Sequence, residues 1–159
     1  MKIMKLLLFG IFIASSVPTV AVAECCLNVT VEISIQEGAA SSAKLKAIVR
    51  NNSTSSIEIN SSSLPWGGRY STILAAVRES SPNEPLDQRF PIDDLGPETI
   101  HLKPGAKIEG QIEMHDFFKD MDKALQKDNL IVLWSYKLVA VDGKESKRLA
   151  GWVRVPRRH

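Results

Sequence analysis

His115 and Asp116 are adjacent, and a histidine beside a carboxylate is the pairing that orients a general base. With a hydroxyl brought near by the fold, the pair would make a small hydrolase. Serines cluster at 53–56 and 61–63, yet neither cluster lies in a G-x-S-x-G or an S-x-x-K motif. The alternative is that Asp116 caps a helix, and we prefer it. The sequence assigns no catalytic residue, and we expect a protein that is not an enzyme.

Metal chemistry would use His101, His115 and His159, which are the histidines of the chain. They lie too far apart for an H-x-x-x-H site, and no Cys/His cluster has the spacing of a zinc site. The sequence therefore predicts neither a metal nor a cofactor.

The loop from Leu64 to Tyr70, LPWGGRY, is the best binding candidate. It places Trp66, Arg69 and Tyr70, residue types enriched at binding hot spots, on a turn between predicted strands. The two glycines that follow Trp66 would let a partner approach the backbone. The alternative is that Leu64 and Trp66 fold down and close the end of the domain, because an exposed tryptophan is unusual.

Cys25 and Cys26 are the two cysteines, and they are adjacent. A disulfide framework needs cysteines far apart in sequence, so three interpretations remain. They form a vicinal disulfide, they pair with a second chain, or Cys25 carries a lipid. The last two would make the protein a structural envelope component held through its N-terminus.

Residues 1–23 have the three parts of a secretory signal peptide. Lys2 and Lys5 precede the apolar run LLLFGIFI, and Ala21-Val22-Ala23 offers a cleavage site. The apolar run is too short to span a bilayer comfortably. We expect a periplasmic or secreted protein without a membrane span, in which residues 24–159 form a single domain.

Charge argues against nucleic acid as a partner. The chain carries 20 Lys and Arg against 18 Asp and Glu, and the predicted leader holds two lysines and no acidic residue. The mature balance is therefore zero, which gives no electrostatic attraction to nucleic acid or to anionic lipid.

Strand patterns run through the rest of the chain. Leu27 to Ile35 alternates apolar and polar residues without a break, and the stretch 44–50 alternates again, with Leu45, Ala47 and Val49 inward. The most apolar run, Leu130–Val141, places Trp134 and Tyr136 on one face of a strand, and it predicts a central strand covered on both faces. It pairs with a last strand at 148–155, and we assign the Trp152 side chain to the core. Residues 80–96 are expected to be mostly connection, with a short edge strand at 88–92.

One segment changes period. Phe117, Phe118, Met121 and Leu125 recur at helical spacing, which predicts one amphipathic helix over 116–127 with its apolar side on the core. About eight short strands and one short helix are typical of an antiparallel immunoglobulin-like β-sandwich.

The runs LKAIVRNNSTSSIEI, LKPGAKIEGQIEM and LWSYKL…RLAGWVRVP resemble the strands and turns of small, uncharacterised secreted bacterial proteins with an immunoglobulin-like domain. The resemblance implies the sandwich fold and a role in inhibition, adhesion or envelope assembly. It brings no site residue with it. The expected function is that of an exported domain that binds a protein partner, with the hydrolase and the structural component as alternatives.

Overall fold

The computed structural model describes residues 26–36, 43–68, 71–89, 96 and 98–158. The predicted signal peptide, Cys25, Arg69 and Tyr70 lie outside the described residues. Within them the protein is mainly β, with antiparallel sheets and two helices. The elements in chain order are β1 (Val29–Ile35), β2 (Lys44–Asn51), β3 (Ile57–Asn60), β4 (Thr72–Arg78), β5 (Ser81–Pro85), β6 (Thr99–Leu102), β7 (Lys107–Glu113), α1 (Met114–Phe117), α2 (Met121–Lys127), β8 (Leu130–Tyr136) and β9 (Leu149–Val155).

The strands form three sheets, ordered β1-β2-β7, β3-β6 and β5-β4-β8-β9. The predicted alternation decides which residues turn inward. Leu45, Ala47 and Val49 of β2 are fully buried, and their neighbours along the strand are not. One hydrophobic cluster takes Leu45 and Ala47 from the three-stranded sheet together with Leu74 and Val132 from the four-stranded sheet. The core therefore lies between the inner sides of these two sheets.

Asn51 joins the β2-β7 pair to the β3-β6 pair. Its fully buried side-chain amide donates hydrogen bonds to the carbonyl oxygens of Ser55 and Leu102, both at 2.9 Å. Its side-chain oxygen accepts the N–H of Ser53 at 2.8 Å. These three bonds link backbone groups of the β2–β3 connection and of the end of β6 through one buried side chain. The chain turns directly after this asparagine, between β2 and β3.

β8 is central, as predicted, because it lies between β4 and β9. Tyr136 is fully buried, and its hydroxyl donates to the carbonyl oxygen of Ser63 at 2.8 Å. Trp134 is half-buried against both hydrophobic clusters, over Gly151 of β9, where a Cβ would lie 2.7 Å from its ring. The strand ends at Tyr136 rather than Val141. Beyond it, Ala140 bridges to Ile59 of β3 instead of continuing the pairing with β9.

The prediction of one helix over 116–127 is wrong, because the segment forms two. The break lies at Phe118, which is extended and bridges to Gln88. The N–H of Arg89 donates to the carbonyl oxygen of Phe117 at 2.7 Å, and the N–H of Lys119 donates to the backbone carbonyl oxygen of Asp87 at 2.8 Å. Residues 87–89 thus form hydrogen bonds with backbone groups at 117–119 that would be paired within the helix if it were continuous.

The details at the helix ends differ accordingly. Asp116 lies inside α1 and is not its N-cap, while Asp120 precedes α2 in the left-handed region, with a φ of 51°. The prediction of an apolar side facing the core is confirmed, since Phe118, Met121 and Leu125 are each at most 1% exposed. The break therefore changes the path of the backbone and keeps the apolar contacts.

The 80–96 region also differs from expectation. A tight turn after β4 leads straight into β5, an exposed edge strand that contains Pro82 and Pro85. Prolines cannot donate to a ladder, so they favour an edge position. Of the edge strand predicted at 88–92, Gln88 makes an isolated bridge, Arg89 lies outside any strand, and residues 90–92 lie outside the described residues.

Candidate functional site

The loop between β3 and β4 folds inward at its start. Residues 61–63 make one 3-10 turn, after which Leu64 and Pro65 are buried. The hydroxyl of Thr72 donates to the carbonyl oxygen of Pro65 at 3.0 Å, which fastens the loop to the start of β4. The loop is therefore anchored at both ends rather than held away from the domain.

Trp66 is half-buried, and its ring lies on Gly110 of β7. A Cβ on Gly110 would come within 2.1 Å of the ring carbons Cδ2 and Cε2, so the glycine leaves the space that the indole fills. The ring packs against both hydrophobic clusters. This placement is the one expected of a loop that closes the domain. Arg69 and Tyr70, the other two binding candidates, lie outside the described residues.

Gly67 serves the fold of this loop. Its N–H donates to the carbonyl of Leu64 at 2.8 Å, and a Cβ there would lie 1.8 Å from the carbonyl oxygen of Ser61. The glycine is required because backbone approaches backbone within the loop itself. The close approach that the sequence suggested for a partner is thus occupied by the chain's own turn.

His115 meets a different carboxylate from the one beside it in sequence. Its Nε2 lies 3.0 Å from Oδ1 of Asp122 in α2, and Arg158 donates to the same carboxylate oxygen. The hydrogen bond with His115 lowers the pKa of Asp122. Among the described residues, His115 has no hydroxyl in hydrogen-bond contact, and His115, Asp122 and Arg158 form a hydrogen-bonded cluster that ties the C-terminal segment to α2.

Cys26 lies at one end of the domain, where it lines a cleft of about 270 Å³. Ser56, Glu58, Asp142 and Lys144 also line this cleft. Lys144 and Asp142 pair at 2.8 Å, and the hydrogen bond lowers the pKa of Asp142. Within the part of the chain that the structure describes, no three His, Cys, Asp or Glu side chains come together as a metal site.

The largest unexpected feature is the outward side of the four-stranded sheet. Trp152, assigned to the core from the sequence, is 64% exposed, so that prediction is wrong. Ile73 and Leu133 are 59% and 47% exposed, so the prediction that β8 is covered on both faces is wrong at Leu133, which is open to solvent. Three large apolar side chains from three adjacent strands thus face outward.

The strand registers place nine residues on this surface, which we call the outer sheet face. Three rows cross β4, β8 and β9, and each row contains residues directly opposite one another. The rows are Ile73, Ser135 and Ala150; then Ala75, Leu133 and Trp152; then Val77, Ile131 and Arg154. Seven of these nine positions are apolar, which is unusual for a sheet face open to water.

Polar groups border the outer sheet face at both ends. Arg154 donates two hydrogen bonds to the carboxylate of Glu79, at 2.9 and 2.8 Å, and this lowers the pKa of Glu79. At the other end Arg148 donates to the hydroxyl of Ser135 at 3.2 Å. An apolar centre with a polar border is the composition of a protein-binding surface.

The opposite outward side, on the three-stranded sheet, provides an internal comparison. There Lys44 pairs with Glu113 at 2.6 Å, and Glu109 pairs with Lys46 and Lys107, both at 2.7 Å. The hydrogen bond from Lys107 is the main cause that lowers the pKa of Glu109 to about 2. The same chain therefore gives one sheet an ion-paired outer side and leaves the other apolar.

The sequence contained a signal for this surface. Trp152 alternates with the inward residues Val153 and Val155. It shares its side of the strand with Arg154 and with Arg148, which directly precedes β9. A strand side that carries arginines at both ends faces water. Reading the alternation of β9 rather than the size of the indole would have placed Trp152 outside.

Comparison with known proteins finds no protein-family model and no curated protein that matches this chain. Among the described residues, no helix has the length and apolar character to cross a bilayer.

Proposed function

We propose that the protein is an exported, non-enzymatic domain that binds a protein partner in the periplasm or outside the cell. The signal-peptide pattern of residues 1–23 supports export and leaves a mature domain at 24–159. The outer sheet face carries the binding proposal, because three large apolar side chains from adjacent strands stand exposed there. A contiguous exposed apolar patch with a polar border is a common mark of an interaction site.

The strand order supports an immunoglobulin-like β-sandwich. By their order within each sheet, we assign β1-β2-β7 to strands A, B and E of that architecture. We assign β5-β4-β8-β9 to its strands C′, C, F and G. In such domains the outer side of the C–F–G sheet is available to partners. The cysteine pair of true immunoglobulin domains is absent from this sequence, so the architecture itself carries no function.

The loop at 64–70 is the second candidate surface, through Arg69 and Tyr70. The rival functions have less support. A hydrolase would need a hydroxyl beside His115, whose described contact is Asp122. A structural role through Cys25 and Cys26 would place the attachment at the N-terminal end of the domain.

The test is a crosslinked pull-down from the native exported fraction, with the captured protein identified by mass spectrometry. Leu133→Lys places a charge at the centre of the outer sheet face. Ile48→Lys is the matched control, because Ile48 is the one apolar residue on the outer side of β2, the central strand of the ion-paired sheet. Both variants are checked for native unfolding in urea.

We expect one identified partner to be captured by the wild type and by Ile48→Lys, and to be lost with Leu133→Lys. Capture that is equal in all three rejects the outer sheet face. An Arg69→Ala, Tyr70→Ala double variant runs beside them. Loss in that variant alone would move the site to the loop.

A further inference from the structure

In two of the three rows of the outer sheet face, the residue on β4 and the residue on β9 differ in size, while the third row has Val77 and Arg154 there. In the middle row, small Ala75 on β4 and large Trp152 on β9 lie on either side of Leu133. In the neighbouring row the sizes are reversed, with large Ile73 on β4 and small Ala150 on β9. In these two rows, each large residue on β4 or β9 is therefore in the same row as a small residue on the other of the two strands.

This pattern is self-complementary under a twofold axis that runs along β8. Such a rotation lays β9 of one copy over β4 of the other and keeps each row at the same height. Trp152 then lies over the partner's Ala75, and Ile73 lies over the partner's Ala150. Large side chains meet small ones at four places, while Leu133 meets its own copy on the axis. Interlocking of this kind is how packed sheets fill the space of about 10 Å between them.

We propose that the partner bound by the outer sheet face is a second copy of this chain, in a symmetric dimer with its twofold axis along β8. The inference rests on the proposed function, since it uses the same surface, and it names the occupant.

The net charge of the chain is compatible with the same occupant. The chain without its predicted leader has equal numbers of basic and acidic residues, so two copies do not repel each other by net charge. The Arg154 and Glu79 ion pair neutralises one end of the face. Association through the β5 edge of the same sheet is disfavoured, because this strand contains Pro82 and Pro85.

The small extent of the face favours a weak, reversible association. Three strands at about 4.8 Å spacing and six residues of length at about 3.4 Å each give a patch of roughly 14 by 20 Å. This is smaller than the about 800 Å² per partner of a standard interface. We therefore expect a reversible dimer with a dissociation constant on the order of 10–100 µM.

The experiment exchanges the large and small residues of the middle row. Sedimentation velocity is measured from about 5 to about 500 µM, a range that brackets the expected constant. Trp152→Ala leaves a gap over Ala75 of the second copy, and Ala75→Trp sets two indoles against each other. Each single variant is expected to weaken dimerisation at least about tenfold. The double variant restores large over small and is expected to return to within about threefold of the wild type.

A wild-type protein that stays monomeric throughout the range overturns the proposal, and so does a double variant that is weaker than both single variants. Tighter association of Ala75→Trp alone also overturns the twofold packing. The pull-down separates this failure from that of the proposed function. Capture of a different protein that is lost with Leu133→Lys leaves the binding function standing with another partner. A monomer that captures nothing rejects both.

Discussion

Replacing Gly110 with alanine would put a methyl group into the space that the Trp66 ring occupies. The added carbon would lie 2.1 Å from two ring carbons, well inside contact distance, so the ring and its loop would have to move. Overpacking of this kind destabilises proteins by about 1–3 kcal/mol. Alanine in a strand also gains about 0.5–1 kcal/mol over glycine, because the unfolded chain loses flexibility.

These two effects predict a change of sign. In the wild-type background Gly110→Ala is expected to lower the free energy of unfolding by about 1–2 kcal/mol. In a Trp66→Ala background the obstacle is gone, and the same substitution is expected to raise it by about 0.5 kcal/mol. The coupling between the two sites is therefore about 2 kcal/mol, well above the additivity expected of independent residues.

The assay is urea unfolding of the four proteins of this double-mutant cycle, followed by tryptophan fluorescence and circular dichroism. Gly96→Ala is the control, because no atom lies within 4 Å of a Cβ at that position and the change is expected to stay within about 0.5 kcal/mol. An equal loss from Gly110→Ala in both backgrounds would refute the reasoning, since it would mean that the ring of Trp66 does not cover Gly110. It would also return Trp66 to the set of side chains available to a partner.

Three further substitutions test other parts of the structure. Asn51→Ala removes three hydrogen bonds at a buried site and is expected to lower the free energy of unfolding by about 2–4 kcal/mol in urea; a loss below about 0.5 kcal/mol would contradict the assigned network. Tyr136→Phe leaves the carbonyl of Ser63 without its donor and is expected to lose about 1 kcal/mol in the same assay, and no change would mean that water replaces the hydroxyl. The pKa of Glu109 is lowered from 4.5 to about 2, so its stabilising effect is complete above pH 4.5 and disappears as the pH falls towards 2. The difference in melting temperature between the wild type and Glu109→Gln should therefore close over that interval, and a constant difference would exclude the ion pair with Lys107 as its source.

Alternation in the sequence was enough to predict most strands and the residues that they bury. The inward residues of β2 follow from a period-two pattern, and the pairing of β8 with β9 follows from two predicted strands joined by a short turn. The helix break at Phe118 could not be predicted from the sequence, because it depends on backbone hydrogen bonds to a segment near Gln88, far away in sequence. Helical periodicity predicts which side chains face the core, and the apolar side chains of this segment do face the core although the backbone forms two helices instead of one.

The site was harder to predict, for two physical reasons. Residue type suggested that a large ring belongs inside, and this assignment suited Tyr136 but not Trp152. An apolar strand also fits two situations equally well, a sheet covered by its own chain and a sheet covered by a partner. Only the tertiary structure tells these apart, since it shows whether any other element of the described chain lies over Leu133.

The order in which the sheets are connected also decides when this chain can fold. Leu45 pairs with Ile112, and Leu74 pairs with Trp134, so both larger sheets join strands from opposite halves of the sequence. Local hairpins alone leave the inner sides of β2 and β4 without their partners until β7 and β8 have been made. Topologies with such distant pairings fold slowly, in milliseconds to seconds. A growing or partly delivered chain therefore has no stable core, and the native state is reached only after nearly the whole sequence is present.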